Sequence, residues 1–272
     1  WSFLHVSRPE IDLPPGTDSH ADEVYAKGAS NLAAMIEAGV LIRDESPSYY
    51  VYRIIMGDHV QTGLVAATPV DAYLANIVRK HEFTRPDKED DRVRQIDEVD
   101  AQTGPVLVVH QPKPAIAAIL GELTATDPTY DVTQPDGVRH IVWAVTAPAD
   151  VQRVRDAYAP VDVLYIADGH HRSAAAARVA ALREGRAGTT DAHERFLIVA
   201  FPTDELHILD YNRVVKDLNG LSADDFLARV NEAFDVTPAN DAARPKSQHD
   251  FGMYLGGSWY ALKTRSAPGP DA

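Results

Sequence analysis

The sequence contains no cysteine among its 272 residues. Disulfide bonds, thiolate nucleophiles and cysteine-based zinc sites are therefore excluded. Positive charge is also scarce, since 26 Lys and Arg face 40 Asp and Glu and leave a formal net charge of −14. This charge argues against nucleic acid or an anionic membrane as the main partner. No apolar run reaches the length of a membrane span and no signal peptide is visible, so we expect a cytoplasmic protein.

Hydrophobic residues make up 45% of the chain, which is enough for a sizeable core. We expect one large α+β unit over residues 1–272, with a possible subdivision into a hairpin-containing part, 1–110, and a second part, 111–272. The chain starts without Met, in the apolar run Trp-Ser-Phe-Leu-His-Val, which resembles a strand. Residues 266–272 resemble a loop. Both ends lead us to expect a piece of a longer protein.

The hydrophobic pattern mixes helical and strand periods. Helices are predicted over residues 21–38, 71–78, 114–123, 149–158 and 223–234. Single strands are predicted over residues 105–110, 130–132, 140–146, 195–201 and 206–209. Hairpins are predicted for 48–56 with 60–68 and for 253–255 with 258–264. Hairpins together with crossover helices predict an α+β, or mixed α/β, fold.

The octapeptide Tyr-Ile-Ala-Asp-Gly-His-His-Arg at positions 165–172 is the most informative segment. The apolar run 161–167 predicts a buried strand, and Asp168 with Gly169 predicts a sharp turn. A helix is then predicted to start near Ser173 and to close at Gly185. Such a junction presents free N–H groups and a positive helix end, which favour an anion and above all phosphate.

Two interpretations of this segment stay open. Asp-Gly is a common turn, and the following His and Arg side chains can simply be solvated. However, cations at a positive helix end are disfavoured unless an anion compensates them. We therefore predict a phosphate site formed by Gly169, His170, His171, Arg172 and Ser173.

A second polar segment, residues 80–97, begins Lys-His-Glu-Phe-Thr-Arg-Pro. Pro86 predicts the start of a helix whose charges, including Lys88, Glu89 and Asp90, are solvated. The residues before it lie in a predicted loop, where catalytic groups are common. A Glu beside a His and an Arg can serve as a general base or bind Mg²⁺, or it can be merely solvated. The candidates in this loop are Lys80, His81, Glu82, Thr84 and Arg85.

Both segments, together with Trp-Ser-Phe-Leu-His-Val at the start and Arg-Pro-Glu-Ile-Asp at positions 8–12, resemble a widespread prokaryotic family of unknown function. The resemblance covers nearly the whole chain. The Asp-Gly-His-His-Arg element is also similar to the phosphate-binding loop of the ParB/sulfiredoxin-like superfamily, which includes CTP-dependent ParB clamps, ATP-using sulfiredoxins and free serine kinases.

This second resemblance implies a strand–loop–helix core with added hairpins and helices. It implies that Gly169, His170, His171 and Arg172 bind phosphate, and that Asp168 is an Mg²⁺ ligand or a catalytic carboxylate. In the serine kinases a Glu is thought to activate the substrate hydroxyl, and Glu82 is our candidate. Sulfiredoxin chemistry needs a Cys that this chain lacks. No helix-turn-helix pattern supports DNA binding.

The leading hypothesis is a nucleotide-dependent phosphotransferase that acts on a small hydroxyl metabolite, with a nucleoside di- or triphosphate and Mg²⁺ as cofactors. Glu82, Asp168 and His170 are its predicted catalytic residues. Lys80 and Arg85 are predicted to hold phosphate oxygens, and His81 and Thr84 to contact the substrate.

Two other classes remain open. A nucleotide-binding switch or sensor would use the same loop without needing a base. A metal-dependent phosphoesterase would build a metal centre from the same acidic and imidazole groups. These groups are Asp168, His170, His171, His81 and Glu82.

Overall fold

A computed structural model of the protein describes residues 1–186 and 191–266; the end of the tail predicted as a loop, residues 267–272, lies outside this range. The described residues form eight α-helices: α1 (Leu4–Ser7), α2 (Asp22–Glu37), α3 (Val70–Leu74), α4 (Pro86–Val99), α5 (Pro114–Leu123), α6 (Pro148–Tyr158), α7 (His170–Arg183) and α8 (Ala223–Ala233). None of these helices is long and apolar enough to span a membrane.

The described residues also form eleven strands: β1 (Tyr49–Met56), β2 (His59–Pro69), β3 (Val78–Arg79), β4 (Val106–His110), β5 (Tyr130–Thr133), β6 (Arg139–Val145), β7 (Leu164–Asp168), β8 (Arg195–Pro202), β9 (Phe234–Ala239), β10 (Asp250–Leu255) and β11 (Ser258–Thr264). The strands and helices alternate irregularly, and hairpins stand beside crossover connections. The prediction of a mixed α+β fold is therefore confirmed.

The chain divides into two compact units, Trp1–Ile208 and Leu209–Ala272. The subdivision that the sequence suggested, after residue 110, falls inside the first unit. His110 is the last residue of β4, which pairs with β7 and β8 in the same sheet.

The first unit contains an eight-stranded sheet in the order β3-β7-β4-β8-β2-β1-β6-β5. β3 runs parallel to β7 and β4 runs parallel to β8, whereas the remaining neighbours are antiparallel. The β1–β2 hairpin turns between Met56 and His59, as predicted. Consequently the carboxyl ends of β3 and β7 lie at the same sheet edge as the first residue of β4.

One face of this sheet carries the core. Val106 and Val108 of β4 alternate with the strand period and pack with Ile166, Ala176 and Phe196. A second cluster joins β1, β2 and β6 to α5 and α6 around Trp143 and Ile116. Ala66 of β2 packs against both clusters. The two clusters therefore form one layer between the sheet and its helices.

The second unit consists of α8 and a three-stranded antiparallel sheet in the order β10-β11-β9. Ser222 caps the start of α8, because its hydroxyl accepts a hydrogen bond from the N–H of Asp225 at 3.1 Å. The predicted hairpin is present, with Leu255 opposite Ser258. The sequence analysis missed β9, which begins directly after the helix at Phe234.

Three predicted elements are wrong. Residues 4–7 form a helical turn rather than a strand, because a short apolar run does not distinguish the two. The helix predicted over 71–78 ends at Leu74, and the chain then extends into the two-residue strand β3. Residues 206–209 form neither strand nor helix, and the Ile208 side chain is almost fully exposed.

Candidate functional site

The octapeptide lies at the junction of β7 and α7. The strand covers residues 164–168 rather than 161–167, and the helix begins at His170, three residues before the predicted start. The prediction placed the helix start near Ser173. Ser173 instead lies inside the first turn, where its hydroxyl donates to the carbonyl of His170 at 3.0 Å. His170, His171 and Arg172 therefore form the first turn of α7.

Gly169 makes the abrupt change from strand to helix possible. Its φ of +103° lies in the left-handed region that side chains other than glycine rarely adopt. A Cβ at this position would lie 3.3 Å from Cα and Cγ1 of Val106 and 3.3 Å from Nε of Arg172. The turn is thus pressed against the first residue of β4.

Arg172 ties the two neighbouring strands together at this edge. Its guanidinium donates to the carbonyl oxygen of Pro105 through Nη1. Nη2 lies 2.5 Å from Oδ2 of Asp168, the last residue of β7. The segment Thr103-Gly104-Pro105, which leads into β4, therefore carries an acceptor for Arg172.

The loop of residues 80–85 reaches the same edge because β3 pairs in parallel with β7, with Arg79 opposite Tyr165. The N–H of Arg85 donates to Nε2 of His171 at 3.1 Å. The N–H of His81 donates to Nε2 of His170 at 3.5 Å. The two segments that the sequence singled out are therefore in direct contact, although almost 90 residues separate them.

Glu82 faces His170 across this contact. Oε2 of Glu82 lies 3.6 Å from Nδ1 of His170, and the His81 ring meets the His170 ring edge-on at 4.5 Å. His170 is 3% exposed, whereas the Glu82 side chain is 62% exposed. The pair thus joins a buried imidazole to a carboxylate that a ligand can reach.

The surroundings of His170 favour its neutral form. Burial is the main cause that lowers the pKa of His170, and the nearby His81 adds to it, whereas Glu82 and Asp168 act in the opposite direction. Because Nε2 accepts the hydrogen bond from His81, the ring proton is assigned to Nδ1, which faces Glu82. Likewise, His171 accepts through Nε2 and is assigned the Nδ1–H form.

The other predicted site residues have partners of their own. The ammonium group of Lys80 lies 4.4 Å from the centre of the Tyr73 ring. The Arg85 guanidinium pairs with Asp87 at 2.7 Å. The Thr84 hydroxyl donates to Glu89. Arg85 therefore reaches the junction with its main chain, while the charged ends of Lys80 and Arg85 have other partners.

The sequence analysis did not identify Glu89 and Arg178 as part of the site. Glu89 was predicted to be a solvated helix charge, but its side chain is only 18% exposed. It accepts from Thr84 and lies 3.3 Å from Nη1 of Arg178 on α7. Glu89 thus links the loop to the helix that carries the histidines. No local pattern marks it, because Arg178 lies 89 residues away in sequence.

Two cavities of the first unit lie outside this junction. One has a volume of about 330 Å³ and includes Arg153, which is paired with Glu122 and Asp150. The other has a volume of about 310 Å³ and lies around His5 and Asp12. We place the candidate site at the open junction because the predicted catalytic groups meet there. Within residues 1–186 and 191–266, no cluster of three or more His, Asp or Glu is arranged to hold a metal ion.

The fold and the site define an α+β protein with a candidate anion site. At this site Gly169, in the left-handed conformation, joins a strand to a helix whose first two residues are histidines. The chain belongs to the family described as protein of unknown function DUF1015, whose model matches residues 1–271. Searches of curated proteins and of solved structures found no match to it.

Proposed function

We propose that this protein is a nucleotide-dependent phosphotransferase that acts on a small hydroxyl metabolite, in the manner of the free serine kinases. The observation that carries the proposal is the meeting of the 80–85 loop with the first turn of α7. This contact brings the Glu82 carboxylate to 3.6 Å from His170, beside a helix start suited to phosphate. Phosphoryl transfer needs a phosphate cradle and an oriented hydroxyl, and the helix start and Glu82 are our candidates for these two roles.

The phosphate cradle is the first turn of α7. The first main-chain hydrogen bond of this helix runs from the N–H of Ser173 to the carbonyl of Gly169 at 3.0 Å. The N–H groups of His170, His171 and Arg172 are therefore those that the helix itself does not satisfy. Together with the positive helix end they favour an anion. This arrangement also supports a ParB/sulfiredoxin-like core around β7 and α7.

Glu82 would orient and deprotonate the acceptor hydroxyl. Its exposed carboxylate accepts the hydroxyl proton, while the hydroxyl oxygen bonds to the terminal phosphorus of the nucleotide and the bond to the bridging oxygen breaks. His170, whose Nδ1 lies 3.6 Å from Oε2 of Glu82, would not compete for that proton, because burial favours its neutral form. His81 and Thr84, which belong to the same loop, would contact the substrate.

Arg172 would compensate charge on the transferred phosphate, and a magnesium ion held by Asp168 would supply further positive charge there. Mg²⁺ is usually held by one or two carboxylates together with phosphate oxygens and water, so Asp168 alone suffices on the protein side. Oδ2 of Asp168 is engaged by Arg172, so Asp168 would hold the ion with the oxygen that remains. Lys80 and Arg85 would add charge by leaving Tyr73 and Asp87 when phosphate is present.

Glu82→Gln tests the catalytic part of the proposal. The purified wild type and the variant are incubated with Mg²⁺, ATP, CTP or pyrophosphate and a panel of hydroxyl amino acids, and phosphorylated product is measured by ³¹P NMR. We expect the variant to lose turnover but to retain nucleotide binding. Glu37→Gln, at an exposed position on α2, is the matched control and should keep full turnover.

Two results would contradict this assignment. Unchanged turnover in Glu82→Gln would remove Glu82 from the chemistry. Nucleotide binding by the wild type without turnover of any acceptor would instead favour a nucleotide-binding switch or sensor.

A further inference from the structure

Phe83 lies in the middle of the site loop and is almost entirely surrounded by solvent. Its side chain is 99% exposed, the highest value among the exposed large hydrophobic side chains of the described chain. Covering a phenylalanine ring is normally favourable, because apolar surface is removed from water. An isolated exposed apolar side chain needs no explanation by itself, but this one stands between Glu82 and Thr84.

The neighbours of Phe83 are anchored on both sides. Before it, the N–H of His81 donates to His170 and the Glu82 carboxylate faces the same ring. After it, the Thr84 hydroxyl donates to Glu89 and the N–H of Arg85 donates to His171. Since consecutive Cα atoms are about 3.8 Å apart, the Phe83 main chain is fixed beside the first turn of α7. The exposed ring therefore belongs to an anchored part of the site.

We infer that Phe83 stacks against the base of a nucleotide whose phosphates occupy the first turn of α7. This inference rests on the proposed function. A phenyl ring has no donor for phosphate oxygens, so its contribution must concern the organic part of a ligand. Nucleobases present a flat π-face that packs well on an aromatic side chain. The cradle would thus bind the phosphates while Phe83 covers the base.

The test compares a ligand that has a base with one that lacks it. Calorimetric titration of the wild type, Phe83→Ala and Phe83→Trp with ATP and with pyrophosphate, each with Mg²⁺, separates the two contributions. Base stacking on one aromatic ring predicts that Phe83→Ala weakens ATP binding by about 5- to 140-fold. Pyrophosphate binding should not change, and Phe83→Trp should bind ATP like the wild type. Phe3→Ala, at another exposed Phe, is the control.

Each other outcome has one meaning. Equal ATP affinity in Phe83→Ala and the wild type overturns the base contact and leaves the phosphotransferase proposal standing. An equal loss for ATP and pyrophosphate also overturns it, because it assigns Phe83 to the loop conformation. Binding of pyrophosphate but not ATP by the wild type overturns the base contact, with the phosphate cradle intact. Binding of neither ligand by the wild type overturns the proposed function and this inference together.

Discussion

Gly169→Ala is the substitution that most directly tests the geometry of the β7–α7 junction. An L-residue in the left-handed region costs about 1–2 kcal/mol. The added Cβ would also meet Cα and Cγ1 of Val106 at 3.3 Å, and Val106 is buried in the core with its main chain fixed in β4. Overpacking of this kind costs about 1–3 kcal/mol. The two contributions together predict a loss of about 2–5 kcal/mol in the free energy of unfolding.

Gly137→Ala is the matched control for this prediction. Gly137 has a φ of +85°, but a Cβ there would meet nothing within 4 Å. It should therefore show only the backbone cost of about 1–2 kcal/mol. Scanning calorimetry measures both variants, and each kcal/mol should lower the Tm by about 2–4 °C in a unit of this size. If Gly169→Ala lost no more stability than Gly137→Ala, the close contact with Val106 would be refuted.

Two further predictions concern the contacts across the junction. The pKa of His170 is lowered in the folded state, so as the pH falls the unfolded chain protonates this histidine before the folded protein does. The contribution of His170 to the free energy of unfolding should therefore be complete above about pH 6.5 and decrease below it. The urea midpoint should therefore drop more steeply with falling pH in the wild type than in His170→Asn, and identical profiles would contradict this. Glu89→Gln should speed hydrogen exchange at the N–H of Arg85, because it weakens the link from Thr84 to Arg178. Asp90→Asn is the control, because Asp90 also pairs with Arg178 whereas the Thr84 hydroxyl donates to Glu89, and this variant should leave the exchange unchanged. Equal exchange in the two variants would argue against a role for Glu89 in positioning the loop.

The sequence was sufficient to locate the junction itself. An apolar run followed by Asp-Gly and an alanine-rich segment specifies strand, turn and helix locally. The predicted helix start was three residues late, because Ser173 is a good capping residue whereas the left-handed Gly169 starts the helix without a side-chain cap. Such a glycine does not reveal from sequence whether it ends a turn or begins a helix.

The contact between the two segments could not be predicted in the same way. It depends on β3, which is only two residues long and so has no hydrophobic period to detect. It also depends on Glu89, which lies in a run of charges of the kind that is usually solvated. Its partner Arg178 lies on another helix, and only the folded sheet brings α4 beside α7. Pairing between distant segments is a property of topology and not of local pattern.

Thermal unfolding of the purified protein with ATP, ADP, CTP, GTP and pyrophosphate, each with and without Mg²⁺, tests the phosphate cradle most directly. A ligand at 100 times its Kd stabilises the folded state by about 2.7 kcal/mol, which corresponds to a rise in Tm of about 5–11 °C. We predict that the Tm of the wild type rises selectively with a nucleotide and that this rise is absent in Arg172→Ala. The Tm of each protein with ligand is compared with its own Tm without ligand, because Arg172 also links Asp168 to Pro105. No shift with any of these ligands, or an equal shift in Arg172→Ala, would contradict the assignment of this junction as a phosphate site.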